Sequence, residues 1–152
     1  MMAPMTPQLR QLQTLLRFWT VLFGLGAFLF FITPLRVIAS LNYSTQYLHF
    51  LRPLDETSIS FWLPLAVSLM CVLTLLCYLA AKHIEQAAAW VVPILLSKAV
   101  SSLTFFFFYI RQNFAAPFFW GALCDGVIFL VTFYFFRRAF DGQTRKTEVD
   151  QE

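Results

Sequence analysis

The sequence predicts an all-α membrane protein: a four-helix transmembrane bundle with both termini cytoplasmic and an interfacial helix in the first external loop. Three observations carry this. Hydrophobic residues make up 59% of the 152-residue chain and charged residues only 12%, about half the ~25% of a soluble domain. Four apolar runs, over about residues 18–35, 59–81, 86–110 and 117–136, approach or exceed the ~20 residues that cross a hydrocarbon core. One tryptophan stands near the start of each run: Trp19, Trp62, Trp90 and Trp120. Successive spans run in opposite directions, so these four land alternately at the two membrane surfaces and are expected to be interfacial anchors.

Residues 1–17 form a polar cytoplasmic head. Leu9, Leu12, Leu15 and Leu16 recur at helical spacing between glutamines, and Thr6-Pro7 opens a short amphipathic helix that lies on the membrane or extends the first span. The first span is closed by Pro34 and Arg36, and Gly24 and Gly26 thin it where a neighbour could come close. A cleaved signal peptide is the competing reading, with Val37-Ile38-Ala39 as the cut. The apolar run is longer than an ordinary signal core, however, and Arg36 would sit beside the cleavage site.

The stretch from Val37 to Ser58 mixes Val37, Ile38, Leu41, Leu48 and Leu51 with Tyr43, Tyr47, His49 and Arg52, the pattern of a helix lying in an interface. Asn42-Tyr43-Ser44 matches a glycosylation sequon, a short pattern that recurs by chance. Asp55 to Ser58 supplies capping residues for the second span. Lys82, His83 and Glu85 make a tight turn into the third span, and Arg111, Gln112 and Asn113 a second turn into the fourth. Arg137-Arg138 stops the fourth span, leaving residues 139–152 as a disordered polar tail. Residues 18–138 are thus the membrane domain.

Orientation follows from the basic residues. Arg10, Arg17, Lys82, Arg137, Arg138, Arg145 and Lys146 fall on the side of the termini, against Arg36, Arg52 and Arg111 on the other. The excess places both termini in the cytoplasm of a multi-pass plasma-membrane protein, read as a bacterial inner-membrane one. The small net charge of +3 reflects this topology and gives no reason to expect nucleic acid as a partner.

Two charges break the apolar runs. Lys98 is 12 residues before Ile110 and Asp125 is 8 residues after Pro117, depths of about 18 and 12 Å from the same end of the bundle at 1.5 Å per residue. A lysine stem bridges that difference, so the two can pair between antiparallel neighbours. A lone charge at mid-bilayer costs at least about 2.5–3.5 kcal/mol, which makes pairing or neutralisation the expected outcome. Ser97, Lys98, Ser101 and Ser102 are expected to share one face of the third span, at i, i+3 and i+4 spacing. Ala122, Asp125 and Gly126 share a face of the fourth, with Ala122 and Gly126 spaced as a small-xxx-small pair. Lys98, Asp125, Ser97, Ser101 and Ser102 are therefore the candidate intramembrane polar site.

Chemistry beyond this is sparse. His49 and His83 fall in loops, and Cys71, Cys77 and Cys124 sit in apolar runs as small hydrophobes, so the sequence suggests neither a metal site nor a proton-relay chain. No nucleotide, metalloprotease, paired-carboxylate or catalytic-triad motif is present, and no cofactor is implied. The aromatic runs at 105–109 and 133–136 suit lipid-facing filler or a stacking surface for a lipophilic ligand. The chain therefore reads as a non-enzymatic accessory, structural or interaction protein. Its expected partners are the lipid bilayer and a membrane-protein partner or a second copy. The alternative is a small transporter or lipophilic-ligand-binding protein that uses Lys98 and Asp125. In span count, long first loop and arginine-terminated last helix, the layout resembles small bacterial four-span proteins of the DoxX-like kind, a likeness of layout that assigns no residue a role.

Overall fold

Thr6 caps the first helix, its Oγ1 accepting from the Leu9 amide at 3.4 Å, and Pro7 occupies the first turn, where a missing N–H costs nothing. From there α1 runs unbroken over Pro7–Ile32. The computed structural model describes residues 6–54 and 63–149, with side chains described as far as residue 140. Of the two readings of the head, the structure shows the extension of the first span and not a separate surface helix: Leu9, Leu12 and Leu16 are core residues of the same helix that continues past Ala27. The helix breaks at Thr33 because the residue before a proline is pushed out of the α region; Thr33 has φ −135° and ψ 53°. Pro34 then starts α2, Pro34–Tyr43, and a 3-10 turn follows at Ser44–Gln46.

The remaining helices are α3 (Leu63–Lys82), α4 (Ala87–Arg111) and α5 (Ala116–Val149). A 3-10 turn at Ile84–Gln86 joins α3 to α4. Between α4 and α5 the chain reverses through Asn113 and Phe114, both at positive φ (53° and 65°). Asparagine tolerates this region, whereas a bulky aromatic is strained there. The loop after α2 straps the corner down: the Arg52 amide donates to the Phe114 carbonyl at 3.0 Å, and the Ala116 amide donates to the Arg52 carbonyl at 2.8 Å. The tail also departs from expectation. The helix does not stop at Arg137-Arg138 but continues to Val149, with Ala139 buried and Phe140 packed on the core. The capping residues expected at 55–58 lie outside the described residues.

Helices α1, α3, α4 and α5 form a ring in which each packs on its neighbours, the closest pairings being α1 with α3 and α4 with α5. Among the described residues, four helical segments are long and apolar enough to cross a membrane: Pro7–Ile32, Leu63–Lys82, Ile84–Arg111 and Ala116–Phe140. Their outward faces are apolar, with Val21, Phe31 and Leu103 each about 70% exposed. A bundle that is hydrophobic all round is what a lipid environment selects.

The buried residues of each helix repeat at alternating three- and four-residue steps. In α1 they are Leu9, Leu12, Leu16, Trp19, Phe23 and Ala27; in α4, Ala87, Val91, Ile94 and Lys98 continue the pattern. Such three- and four-residue spacing is the pattern that suits left-handed packing at a shallow angle. The core is lopsided along the bundle. Its members on α1 (Leu9 to Phe23), α3 (Leu73 to Ala81), α4 (Ala87 to Leu95) and α5 (Ile128 and Ala139) all lie towards the end that carries the α3–α4 turn. Lys98 and Asp125 sit just beyond the last layer of that core.

Candidate functional site

Lys98 falls on the buried stripe of α4 and Asp125 on that of α5, and the short connection sets the two helices antiparallel with these residues level. The Lys98 ammonium donates to Asp125 Oδ1 at 2.7 Å. Both residues are buried, at 7% and 8% exposure. Ser101, one turn beyond Lys98, donates its hydroxyl to the other carboxylate oxygen, Asp125 Oδ2. The ammonium also stands 4.7 Å from the centre of the Phe23 ring on α1, across the bundle. A desolvated cation over an aromatic face gains up to about 2 kcal/mol. Both oxygens of the acid and two directions of the base are therefore answered from three helices.

The approach of α4 and α5 depends on small residues. A methyl group on Gly121 would meet the Phe105 ring at 2.9 Å, and one on Gly126 would meet Ser102 Oγ at 3.1 Å. Ser102 itself donates to the Ala122 carbonyl at 2.8 Å, a side chain-to-backbone bond between helices. Of the serines expected around the pair, the structure brings in Ser101 and sets Ser102 beside it on the same interface. Ser97 turns away: it lines an open groove of about 280 Å³ with Leu69, Val100, Ser101, Thr104 and Phe105, on the α3 side of α4.

The tryptophans divide. Trp19 is no interfacial anchor. It is 7% exposed in the core, and its indole N–H donates to Thr132 Oγ1 of α5 at 3.0 Å. The cause is the true start of α1 at Pro7, which moves Trp19 from the beginning of a helix to its middle. Trp90 packs against the core with its indole nitrogen buried and unpartnered. Trp120 lies in the first turns of α5 and donates to Ser44 Oγ at 2.9 Å, fastening the loop after α2 to the bundle. Trp62 lies outside the described residues. Asn42, the sequon residue, is engaged on both sides of its amide: Nδ2 donates to the Leu54 carbonyl at 3.1 Å, and Oδ1 accepts from the Leu54 amide at 3.0 Å.

Sequence reasoning missed Phe23 and Thr132, the partners of Lys98 and Trp19. Both were reachable through the three–four stripe of apolar and small residues. Among the described residues no three histidine, cysteine or acidic side chains gather as a metal would require. His49 and His83 are exposed, away from the pair. The arrangement offers one buried, hydrogen-bonded ion pair, with a serine that links it to a lateral groove. Comparison with family models, with curated proteins and with solved structures returns no match to this chain.

Proposed function

We propose that this chain is an accessory or structural protein of a plasma membrane, read as a bacterial inner membrane, with both termini cytoplasmic, and that it acts through helix contacts rather than catalysis. On this reading the Lys98–Asp125 pair locks α4 and α5 in register. The observation that carries it is the completeness of the pair's surroundings. Asp125 accepts from Lys98 and Ser101, and Lys98 is shared between Asp125 and the Phe23 ring. A pair satisfied in this way gives specificity of packing more than net stability. The excess of basic residues on the side of the termini supports the orientation, and α2, with Ile38 inward and Leu35 and Tyr43 exposed, suits an interfacial helix. The partners on this reading are the lipid bilayer and a membrane-protein partner or a second copy.

A double-mutant cycle tests the role of the pair. Asp125→Leu leaves Lys98 buried without its counter-ion and should cost about 3–5 kcal/mol, read as loss of folded yield and of thermal stability in detergent. Lys98→Met combined with Asp125→Leu should recover both, with host growth unaffected. Single variants that melt like the parent would refute the lock. A double variant that folds while the host loses the phenotype of the intact gene favours the second reading, a small transporter or lipophilic-ligand-binding protein using Lys98 and Asp125. The groove that reaches Ser101 is what supports that reading; binding or uptake that depends on both charges and on pH would establish it.

A further inference from the structure

We infer that α2 carries a binding site for the phosphate of an anionic phospholipid headgroup, formed by Arg36 with Tyr43 beside it. Arg36, Ala39, Ser40 and Tyr43 line an open depression of about 480 Å³ along one side of α2. They stand at i, i+3, i+4 and i+7, so they share one helical face, while Ile38 turns the opposite face into the protein. Arg36 lies four residues beyond Ile32, where the apolar α1 ends, which on the membrane reading is the level of the phospholipid phosphates. Its guanidinium is exposed and meets no acidic side chain among the described residues. The described charged residues at this end of the bundle are Arg36, Arg52 and Arg111, and no described aspartate or glutamate lies there.

The local chemistry selects the ligand. A guanidinium presents a fork of N–H donors that matches two phosphate oxygens. Ser40 already donates to the Arg36 carbonyl at 2.8 Å, so it shapes the floor without binding. The Tyr43 hydroxyl is 3.5 Å from that of Tyr47, and either may act as donor in that contact, which leaves one phenol free to donate outward. Tyr47 packs its ring against Tyr43, and the exposed Leu35 precedes Arg36 in the chain, apolar surface that acyl chains and glycerol backbones cover better than water does. This makes a lipid phosphate a better occupant than a free one. The inference rests on the membrane reading and is independent of the role given to Lys98 and Asp125.

The test uses the full chain reconstituted in vesicles of phosphatidylcholine with or without phosphatidylglycerol. Flotation first reports insertion. Native mass spectrometry of the released protein then compares retention of the two lipids. Parent protein should retain phosphatidylglycerol preferentially, and Arg36→Gln should reduce that preference about fivefold, the size expected of one arginine near an anionic surface (about 1 kcal/mol). Arg111→Gln, at the same end but outside the depression, should reduce it less, and an equal loss would overturn the site. High salt should lower the preference of the parent protein, a measurement that needs no variant to fold. Failure to float would defeat the membrane reading itself. Flotation without lipid preference, a preference insensitive to salt or to Arg36→Gln, or full displacement of the lipid by soluble glycerol phosphate would each overturn the site.

Discussion

At the scale of single residues, the value of a buried polar contact is read best by removing one side at a time. Trp19 and Thr132 illustrate this. Thr132→Val keeps the volume but leaves the indole N–H without an acceptor inside the bundle. The expected loss is about 1 kcal/mol, the usual size of an interhelical hydrogen bond in a membrane protein. Trp19→Phe in the same background should return part of it, because the stranded donor is gone. Thermal unfolding in detergent reads both, and additive losses would show that the bond contributes nothing. The Lys98–Asp125 pair was legible in the sequence because charge is rare enough in an apolar run to be counted by depth. Trp19 was not, because a tryptophan near the start of a hydropathy run looks the same whether it faces headgroups or a threonine. The helix start at Pro7 separates the two cases. The leucines ahead of Arg17 already carried that information in the three–four steps from Leu9 to Leu12, Leu16 and Trp19.

At the scale of elements, helix approach is set by the glycines, and it differs between the two close pairings. Between α4 and α5, Gly121 lies under the Phe105 ring with no room for a methyl group. Between α1 and α3, Gly24 faces Thr74 Cγ2 at an ordinary 3.6 Å. Gly121→Ala should therefore force the ring or the helix aside and cost about 1–3 kcal/mol. Gly24→Ala should be neutral or slightly stabilising, since alanine restricts the unfolded chain and favours the helix. Melting temperatures of the two variants side by side check this, and equal effects would mean that α4 and α5 are not as close as described. Element boundaries were read well where a proline or a tight turn marked them, as at Thr33-Pro34 and Lys82 to Gln86. They were misread at the C-terminal end, where polar residues were taken to end a helix. Arg137 and Arg138 do not stop α5, since arginine is a good helix former and its long stem can lie along an apolar face.

At the scale of the whole molecule, the lopsided core and the distribution of charge define two unlike ends. One end is tightly packed, with the buried stripes of four helices and the α3–α4 turn. At the other, α2, the loop and the α4–α5 corner are joined by Trp120 to Ser44, Asn42 to Leu54 and the Arg52 bridge. The number of spanning helices fixes the relation between turns and termini. With four spans, the α3–α4 turn shares a side with both termini, and the α4–α5 turn lies opposite. Which side is cytoplasmic depends on the seven basic residues against three. Single cysteines placed by His83→Cys and Gln112→Cys, in a chain whose Cys71, Cys77 and Cys124 are serine, separate these statements. A membrane-impermeant maleimide added to intact cells should label the cysteine at 112 and spare the one at 83 until the cells are lysed. The reverse pattern would keep the four spans and invert the orientation, so that the positive charges of the termini would face outward. Labelling of both from one side would break the four-span arrangement itself. The Lys98–Asp125 pair would then lose its place between two membrane-crossing helices, and with it the physical reason for being paired.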